Sequence, residues 1–360
     1  DEPATSLAPE IAATVWKLAG IQRPQLEEHG LQPLFEEVEQ PLIRILAAME
    51  RIGLKLDPDK VEEMKSGMAG HIEEIEGRIY ELAGHEFTIG SPQQVGEVLF
   101  EELGLTRKRR GKTGYSTDAR VLTQIRDEHE IVALIETWRE LTKLKNTSLD
   151  PLPKEIDPAT GRVHTTFVQT EAPTGRLSSI QPNLQSIPIR TDVGRPLRGC
   201  FVAEPGNLLV SADYSQVELR VLAHMADEPV LKGFFLAGDD VHRATAAQVF
   251  GIEPEDVDES QRSKAKMVNF GIVYGITPFG LSRRLGGELS VGEAGRIIDD
   301  YKARYPGIDA FLADCVETAK SQGYVETFLG RRRAIPQVTA RNPQQRSLGE
   351  RMAINSVVQG

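Results

Sequence analysis

The chain has 360 residues, which is enough for roughly two or three subdomains with sizeable cores. Its hydrophobic fraction of 40% and charged fraction of 26% are typical of a soluble globular protein, and no long uncharged apolar run predicts a membrane span. The net charge of −11 excludes a uniformly basic surface but permits a local basic groove. Cys200 and Cys315 are the only cysteines, so neither a disulfide framework nor a zinc site is expected.

The first 150 residues are predicted to be helical. A short apolar helix over residues 11–18 precedes a helix over 34–53, in which apolar residues recur at helical spacing. Asp57-Pro58 and Ser91-Pro92 each place a capping side chain before a proline, and Asp118 precedes another helical pattern. Three further helix starts are therefore expected at these positions.

Two charged segments of opposite sign stand apart in the chain. Residues 107–112, RKRRGK, are strongly basic, whereas residues 253–259, EPEDVDE, are acidic. Such segregation permits a basic groove on an acidic protein, although a solvated loop tip is the alternative for the basic segment.

The centre of the chain, residues 151–203, is rich in Pro, Thr and Ser and predicts strands and loops. Residues 208–213, LLVSAD, predict a short buried strand that delivers the carboxylate of Asp213 at its end. A buried carboxylate is costly unless it is paired or binds a metal, but an Asp that only caps the following helix is also common. Helical patterns return over residues 229–360, with an antiparallel turn expected near Gly323 and residues 330–333.

The segment 262–275, RSKAKMVNFGIVYG, predicts a helix with one unusual face. Arg262, Lys266, Phe270 and Tyr274 follow one another at intervals of four residues, which places two cations and then two aromatic rings along that face. Cations neutralise phosphates and a flat ring covers a sugar or base, so the face suits a nucleoside triphosphate. A helix with a solvated basic end and a buried aromatic end is the structural alternative.

This helix and the segment 213–220, DYSQVELR, together resemble two signature motifs of the bacterial DNA polymerase I family, the family A DNA polymerases. Further segments resemble the family in its own order: residues 138–145, 174–179, 182–188, 240–242 and 351–359. Ser186 departs from the pattern, where the family is expected to show Asn. The resemblance covers nearly the whole chain.

The resemblance implies an α+β fold with right-hand polymerase architecture: a helical thumb, an antiparallel-sheet palm and helical fingers. The implied boundaries are a tail of a preceding exonuclease-like domain over 1–30, the thumb over 31–150 and the first part of the palm over 151–235. The fingers follow over 236–345, and a return to the palm begins over 346–360.

The resemblance also implies template-directed DNA synthesis, in which two Mg²⁺ ions, replaceable by Mn²⁺, support addition of a deoxynucleotide to a primer 3′ hydroxyl. Asp213 is the expected metal ligand, with the backbone of Tyr214 as a weaker candidate. The catalytic residues expected are Asp213, Lys266 and Arg262, since Lys266 is also placed to protonate the departing pyrophosphate.

Seven residues are expected to bind the nucleotide. The set comprises Gln216, Glu218, His242, Arg262, Lys266, Phe270 and Tyr274. His242 is expected to reach a terminal phosphate, although a lone His is more often structural. Glu218 is close enough to Asp213 to be a second metal ligand, but the resemblance implies that it packs with Tyr274 and excludes a ribose 2′-hydroxyl.

The expected contacts to primer-template DNA come from eight residues. They are Arg139, Lys143, Arg176, Asn183, Gln185, Arg351, Asn355 and Gln359. The last three share one helix face, from which side-chain donors can reach minor-groove acceptors whose positions vary little with sequence. A solvated helix face is the alternative.

The family carries its second metal carboxylate in a His-Asp-Glu turn after the helix that ends here at Gln359, so this chain is expected to be a portion of a polymerase. A catalytically silent primer-template-binding fragment is therefore the alternative to an active polymerase. A single-subunit RNA polymerase is a third hypothesis, against which Glu218 and the thumb-like region weigh. The expected partners are primer-template DNA and deoxynucleoside triphosphates, without a membrane, for a monomer in the cytoplasm near the nucleoid.

Overall fold

The computed structural model describes residues 3–106, 110–111, 114–188, 194–286 and 289–360, and describes side chains within these ranges except those of residues 3–6, 110, 111 and 114. Helices and small antiparallel sheets make up the described chain, which is the α+β class that the sequence predicts. None of the helices in these ranges has an apolar stretch long enough to cross a membrane.

Sixteen α-helices lie within the described residues, numbered here in chain order. They are α1 (Pro3–Glu28), α2 (Gln32–Leu34), α3 (Gln40–Ile52), α4 (Pro58–Ala83), α5 (Pro92–Glu97), α6 (Ala119–Gln124), α7 (Glu130–Leu144), α8 (Arg195–Arg198), α9 (Val217–Met225), α10 (Pro229–Ala237), α11 (Val241–Phe250), α12 (Glu259–Val273), α13 (Pro278–Arg284), α14 (Val291–Arg304), α15 (Pro306–Gln322) and α16 (Pro343–Gln359).

The strands are short and every pair is antiparallel. They are β1 (Leu54–Lys55), β2 (Arg110–Gly111), β3 (Gly114–Tyr115), β4 (Ile156–Asp157), β5 (Arg162–Val163), β6 (Thr166–Val168), β7 (Ser178–Ile180), β8 (Tyr324–Glu326) and β9 (Arg332–Ala334). A three-stranded sheet has the order β1-β5-β4, and the pairs β2-β3, β6-β7 and β8-β9 are two-stranded. The β8-β9 pair confirms the turn expected near Gly323 and residues 330–333.

The three helix starts predicted from capping residues are confirmed. The side chain of Asp57 accepts hydrogen bonds from two backbone amides at the start of α4, and Asp118 does the same for α6. Ser91 accepts from the amide of Gln94 in α5. Each cap satisfies amides that a helix leaves without an internal partner, which is worth about 1 kcal/mol.

The chain divides into two compact units. The second consists of Leu46–Val168 and Ser178–Ser211. Its core is built around α4, α5 and α7, and Val61, Ile79 and Ile131 in it are fully buried. The indole nitrogen of Trp138 in α7 donates to the carboxylate of Glu76 in α4 at 2.8 Å, which adds a polar tie between these two helices.

The first unit consists of Asp1–Ile45, Gln169–Leu177 and Ala212–Gly360. Its main core draws on α9 to α16, with Leu222, Val268 and Leu281 fully buried. Glu228 is buried as well. Its carboxylate accepts hydrogen bonds from the amides of Val230 at 3.2 Å and Gly307 at 2.8 Å, which offset the cost of burying it. These contacts join the starts of α10 and α15, where the positive ends of the helix dipoles favour a negative charge.

The prediction of a buried strand over residues 208–213 is wrong. The segment belongs to no strand or helix, and Leu208 and Val210 are each 88% exposed. A strand needs a neighbour for its backbone groups and a covered face for its apolar side chains. Among the described residues no other segment pairs with this one, so its apolar sequence is not buried.

The helices near the start of the chain also differ from the prediction. The short helix expected over 11–18 is part of the longer α1, and the helix expected over 34–53 is interrupted by a π-helical turn at Phe35–Glu39. Leu46 is buried, but Ile45 and Met49 are 57% and 46% exposed. Spacing alone thus overestimates how much of the apolar face of α3 is covered by described residues.

Candidate functional site

Helix α12 places the predicted cationic and aromatic side chains in one row. It begins with a capping box, in which Asp258 accepts from the amide of Gln261 and the side chain of Gln261 accepts from the amide of Asp258. Ala265, Val268, Asn269 and Ile272 form its buried side. This burial fixes the rotation of the helix, so the face carrying Arg262, Lys266, Phe270 and Tyr274 is set by packing.

Arg262 is held by Asp240, the residue that precedes α11. The Nε atom of Arg262 donates to Asp240 Oδ2 at 2.6 Å, and the other carboxylate oxygen accepts from the amides of His242 and Arg243. Burial acts to raise the pKa of Asp240, but the hydrogen bonds from Arg262 and from these amides outweigh it and hold the pKa below its usual value. Asp240 therefore caps α11 and tethers the first cation of α12.

Lys266 differs from Arg262 because it is exposed and forms no ion pair within the described part of the chain. An unpaired ammonium one turn from a paired guanidinium gives this part of α12 a positive surface. Such a surface attracts anions, and phosphate is bound well by both side-chain types.

His242 lies in the first turn of α11 and is only 1% exposed. Its Nδ1 atom is 2.9 Å from Asn269 Nδ2, whereas its Nε2 atom is buried without a hydrogen-bond partner among the described residues. Burial lowers the pKa of His242 to about 4; the carboxylate of Asp240 opposes this shift, and Arg262 and Lys266 add to it. The ring is therefore neutral at physiological pH and close enough to both cations to feel their charge.

Phe270 lies between two other rings. Its centroid is 5.9 Å from that of His242 and 6.2 Å from that of Tyr274, with the Tyr274 ring only 28° from parallel. Contacts of this kind stabilise an aromatic cluster and fix the Phe270 ring at the half-buried surface of α12.

Tyr274 and Glu218 are in contact, as the family resemblance implies. The Tyr274 hydroxyl donates to Glu218 Oε2, and Arg176 Nη2 donates to Glu218 Oε1 at 2.6 Å. Burial and the hydrogen bond to Glu218 raise the pKa of Tyr274 to about 12, so the phenol is protonated at neutral pH. Gln359 acts in the opposite direction and lowers the pKa of Tyr274. Residues predicted to bind nucleotide and DNA therefore meet in one network.

Two other predicted residues carry buried polar atoms without a partner in the described structure. They are Gln216, through Oε1, and Asn355, through Oδ1. Buried polar atoms are nearly always satisfied, so such positions suit a bound ligand or water. Arg351, on the same helix as Asn355, packs close to Gly275, where an added Cβ would lie 3.3 Å from Arg351 Cγ.

Asp213 and Tyr214 are placed differently from the side chains above. Both are exposed in the segment without regular secondary structure that precedes α9. No group of three or more His, Cys, Asp or Glu side chains among the described residues is arranged to hold a metal ion. A pair of Mg²⁺ ions needs several carboxylate oxygens. The described side chains therefore do not make up the expected two-ion site.

Four predicted DNA contacts belong to the second unit. Arg139 is half-buried and donates to Thr117 O and Oγ1 at 2.5 and 3.1 Å, and burial lowers its pKa. Asn183 accepts from Ser179 Oγ and from the amide of Gln185, while Lys143 and Gln185 are exposed. In the basic segment, Arg107, Lys108, Arg109 and Lys112 lie outside the described residues.

Sequence reasoning missed three residues that organise this site. Asn269 and Thr245 form a buried polar link to His242, and Asp240 tethers Arg262. An Asn on the apolar side of a helix was the available signal for Asn269, because a buried amide requires partners. The sequence around Asp240 predicts a helix cap but gives no sign of the ion pair with Arg262.

The family model for DNA polymerase family A matches residues 58–360. The chain therefore belongs to DNA polymerase family A.

Relatives and solved structures agree with this assignment. The chain is 46% identical over 350 residues to DNA polymerase I of Geobacillus stearothermophilus and 47% identical over 339 residues to the thermostable DNA polymerase I of Thermus filiformis. These matches cover 97% and 94% of this chain but 40% of each relative, so the chain spans about two fifths of their length.

A solved structure gives the fold. The POL domain of Pol1 from M. smegmatis, in complex with DNA primer-template and dNTP, matches with a TM-score of 0.89 and 36% identity. The match covers 97% of this chain and 61% of that chain. The predicted polymerase fold is thereby confirmed.

Proposed function

We propose that this chain is the part of a DNA-directed DNA polymerase that binds the incoming deoxynucleoside triphosphate and the primer-template. The observation that carries the proposal is the face of α12, where Arg262 and Lys266 precede Phe270 and Tyr274, in a member of DNA polymerase family A. Two cations followed by two rings match a triphosphate followed by a sugar and a base.

Each side chain of this face has a proposed role. Arg262 and Lys266 bind the phosphates, and Lys266 delivers a proton to the pyrophosphate as it leaves. Phe270 covers the sugar, and Tyr274 lies beside the templating base pair. Arg351, Asn355, Gln359 and Arg176 bind the duplex in the same unit, while Arg139, Lys143, Asn183 and Gln185 are the proposed contacts of the other unit.

The proposed cofactor is a divalent cation, Mg²⁺ or Mn²⁺, which supplies charge stabilisation at the reacting phosphate when bound. Asp213, with the backbone carbonyl of Tyr214, is its proposed ligand in this chain. Since the described residues offer no complete ligand set, the proposal assigns steps of the reaction only to the cationic and aromatic side chains.

Glu218 is proposed to exclude ribonucleotides. Its hydrogen bonds to Tyr274 and Arg176 hold the carboxylate in place at the aromatic end of the face. A fixed carboxylate in the space of a 2′-hydroxyl clashes with the added hydroxyl and discriminates between sugars by roughly 10²-fold. In the full-length polymerase, Glu218→Ala should reduce the preference for deoxynucleotides at least about tenfold, measured as the ratio of kcat/KM values. Unchanged sugar selectivity would overturn this role.

The experiment that tests the main proposal is primer extension by this 360-residue chain, with magnesium and four deoxynucleotides on a labelled primer-template. Template-directed extension supports the polymerase and shows that its carboxylates suffice. A gel shift of the labelled duplex without extension supports the alternative, a primer-template-binding fragment that lacks part of its metal site. The exposure of Asp213 and the incomplete ligand set favour this alternative for the isolated chain.

A second reaction with four ribonucleotides in place of the deoxynucleotides supplies the control. Preferential extension with ribonucleotides would support an RNA polymerase instead. If the folded protein gives no primer extension and no gel shift, the proposed function is contradicted.

A further inference from the structure

A chain of three buried polar side chains links α11 to α12. Thr245 Oγ1 is 3.0 Å from Asn269 Oδ1, and Asn269 Nδ2 is 2.9 Å from His242 Nδ1. Thr245 is 5% exposed, and Asn269 and His242 are each 1% exposed. Water therefore has little access to these groups, and their hydrogen bonds to one another decide how each is oriented.

The direction of this chain determines which nitrogen of His242 carries the proton. With the Thr245 hydroxyl donating to Oδ1, the amide of Asn269 presents its NH₂ group to the ring, so Nδ1 must accept. The proton of a neutral imidazole is then on Nε2. The opposite arrangement is also chemically possible, because Thr245 Oγ1 lies 2.9 Å from Val241 O and can donate there instead. In that case the amide reverses, and Nε2 becomes a bare acceptor.

The two arrangements have opposite consequences for an anion. The pKa of His242 lies near 4 because the ring is buried, against the pull of Asp240 and with the added repulsion of Arg262 and Lys266. A neutral ring attracts a phosphate only through an N–H donor, and an Nε2 lone pair repels it. Nε2 is the atom left without a partner among the described residues.

We infer that Asn269 and Thr245 are positioning residues, which hold His242 in the Nε2–H tautomer so that its ring can donate to a phosphate oxygen of the incoming triphosphate. This inference rests on the proposed function. Because Nε2 is buried, the oxygen reaches it only when neighbouring side chains move. As positioning residues, Asn269 and Thr245 contact neither the nucleotide nor the DNA and act only through His242.

The direct test is ¹⁵N NMR of the histidine side chains of the 360-residue chain at pH 7. Nδ1 of His242 should show the shift of an unprotonated nitrogen and Nε2 that of a protonated one. Protonation at Nδ1 would overturn the inference. This measurement needs no variant, so it does not depend on whether a substitution is tolerated.

A matched pair of variants tests the role of Thr245. Thr245→Val removes the hydroxyl at nearly the same volume, so the Asn269 amide is free to reverse and protonation moves toward Nδ1. Thr245→Ser keeps the hydroxyl and should keep the tautomer. Asn269→Asp, whose carboxylate can only accept, should move the proton to Nδ1 most completely. If the proton stays on Nε2 in folded Thr245→Val and Asn269→Asp, these residues do not position the ring.

Titration with inorganic tripolyphosphate tests the contact with phosphate. The Nε2 resonance of the unaltered chain should shift on binding, and Thr245→Val, which changes no charge, should raise Kd by about tenfold or more, as expected for losing a hydrogen bond to a charged group. A bound tripolyphosphate that leaves Nε2 unshifted would overturn the inference.

Primer extension by the full-length polymerase separates the proposed function from the positioning role. If the polymerase extends the primer but His242 is protonated on Nδ1, only the positioning role is overturned. Absence of extension with the expected tautomer and shift contradicts the proposed function and leaves the positioning role supported.

Discussion

The helix pair α11 and α12 and the segment 207–214 both carry residues of the proposed site, yet only the first is assembled. In the helix pair, Asp240 holds Arg262, and Asn269 holds His242, over 22 and 27 residues of sequence separation. The segment leading to Asp213 and Tyr214 is exposed, and no strand in the described residues pairs with it. Side chains placed by helix packing are therefore held in position, whereas the carboxylate of Asp213, in an exposed segment, is not.

The largest effect is expected from Lys266, which forms no ion pair with the described residues. In the full-length polymerase, Lys266→Ala should lower kcat for nucleotide addition by about 10²–10³-fold, because it removes one preorganised charge from the reacting phosphates. Single-turnover kinetics would measure this. Lys264→Ala makes the same charge change two residues away on a different side of α12, and should leave the rate within about threefold. Equal losses in both variants would mean that only net charge matters.

His242 should make the assembled region sensitive to acid. Its pKa is lowered from 6.5 to about 4 on folding, so its contribution to stability is complete above pH 6.5 and is lost as the pH falls toward 4. The loss amounts to up to about 3 kcal/mol in the free energy of unfolding. Urea unfolding of the 360-residue chain between pH 7 and pH 4 would measure it.

His242→Gln supplies the control for this measurement. The variant should be less stable at pH 7 but should lose less stability than the unaltered chain over the same pH interval. Parallel curves for the two proteins would show that His242 is not buried as a neutral ring.

One substitution made at two positions compares the regions directly. Val268 in α12 is fully buried and Val210 is 88% exposed. Val268→Ala should cost about 2 kcal/mol in the free energy of unfolding, from lost burial and the cavity left behind. Val210→Ala should change it by less than about 0.5 kcal/mol. A comparable cost at Val210, measured by urea unfolding, would mean that its segment is packed in solution.

The smallest effect is expected at Asp240. Asp240→Asn keeps an efficient helix cap but removes the ion pair with Arg262, which is partly exposed, so the cost should be about 1 kcal/mol or less. A carboxylate with a lowered pKa stabilises the fold above its usual pKa of 3.8 and loses that contribution as the pH falls through its folded value. The variant should therefore show a weaker loss of stability below about pH 4. A cost of several kcal/mol would show that the pair holds the two helices together.

The sequence predicted what depends on local pattern. The face of α12, the caps at Asp57, Ser91 and Asp118, and the contact of Glu218 with Tyr274 all follow from spacing or from family resemblance, and the structure contains them. The burial predicted for residues 208–213 is wrong, because a strand forms only beside a neighbouring strand. An apolar run does not show whether such a neighbour is present.

The polar chain through Asn269 was also out of reach. Its members are 24 and 27 residues apart along the chain, and they meet only because two helices pack side by side. Helical periodicity gives the face on which a residue lies but not the residue opposite it. The roles of the eight proposed DNA contacts stay predictions, because the sequence gives the face on which each residue lies but not the DNA that would contact it.

The ion pair of Asp240 with Arg262 has a consequence for which anions the site accepts. The carboxylate bonds only Nε of Arg262 and partly neutralises its charge, so on the proposed function an incoming anion is attracted less strongly than by an unpaired guanidinium. A triphosphate brings several charges and can also engage Lys266, whereas a chloride ion or a single weak carboxylate offers no more than Asp240 already does. On the proposed function, the helix cap thus favours anions with several charges over anions with one.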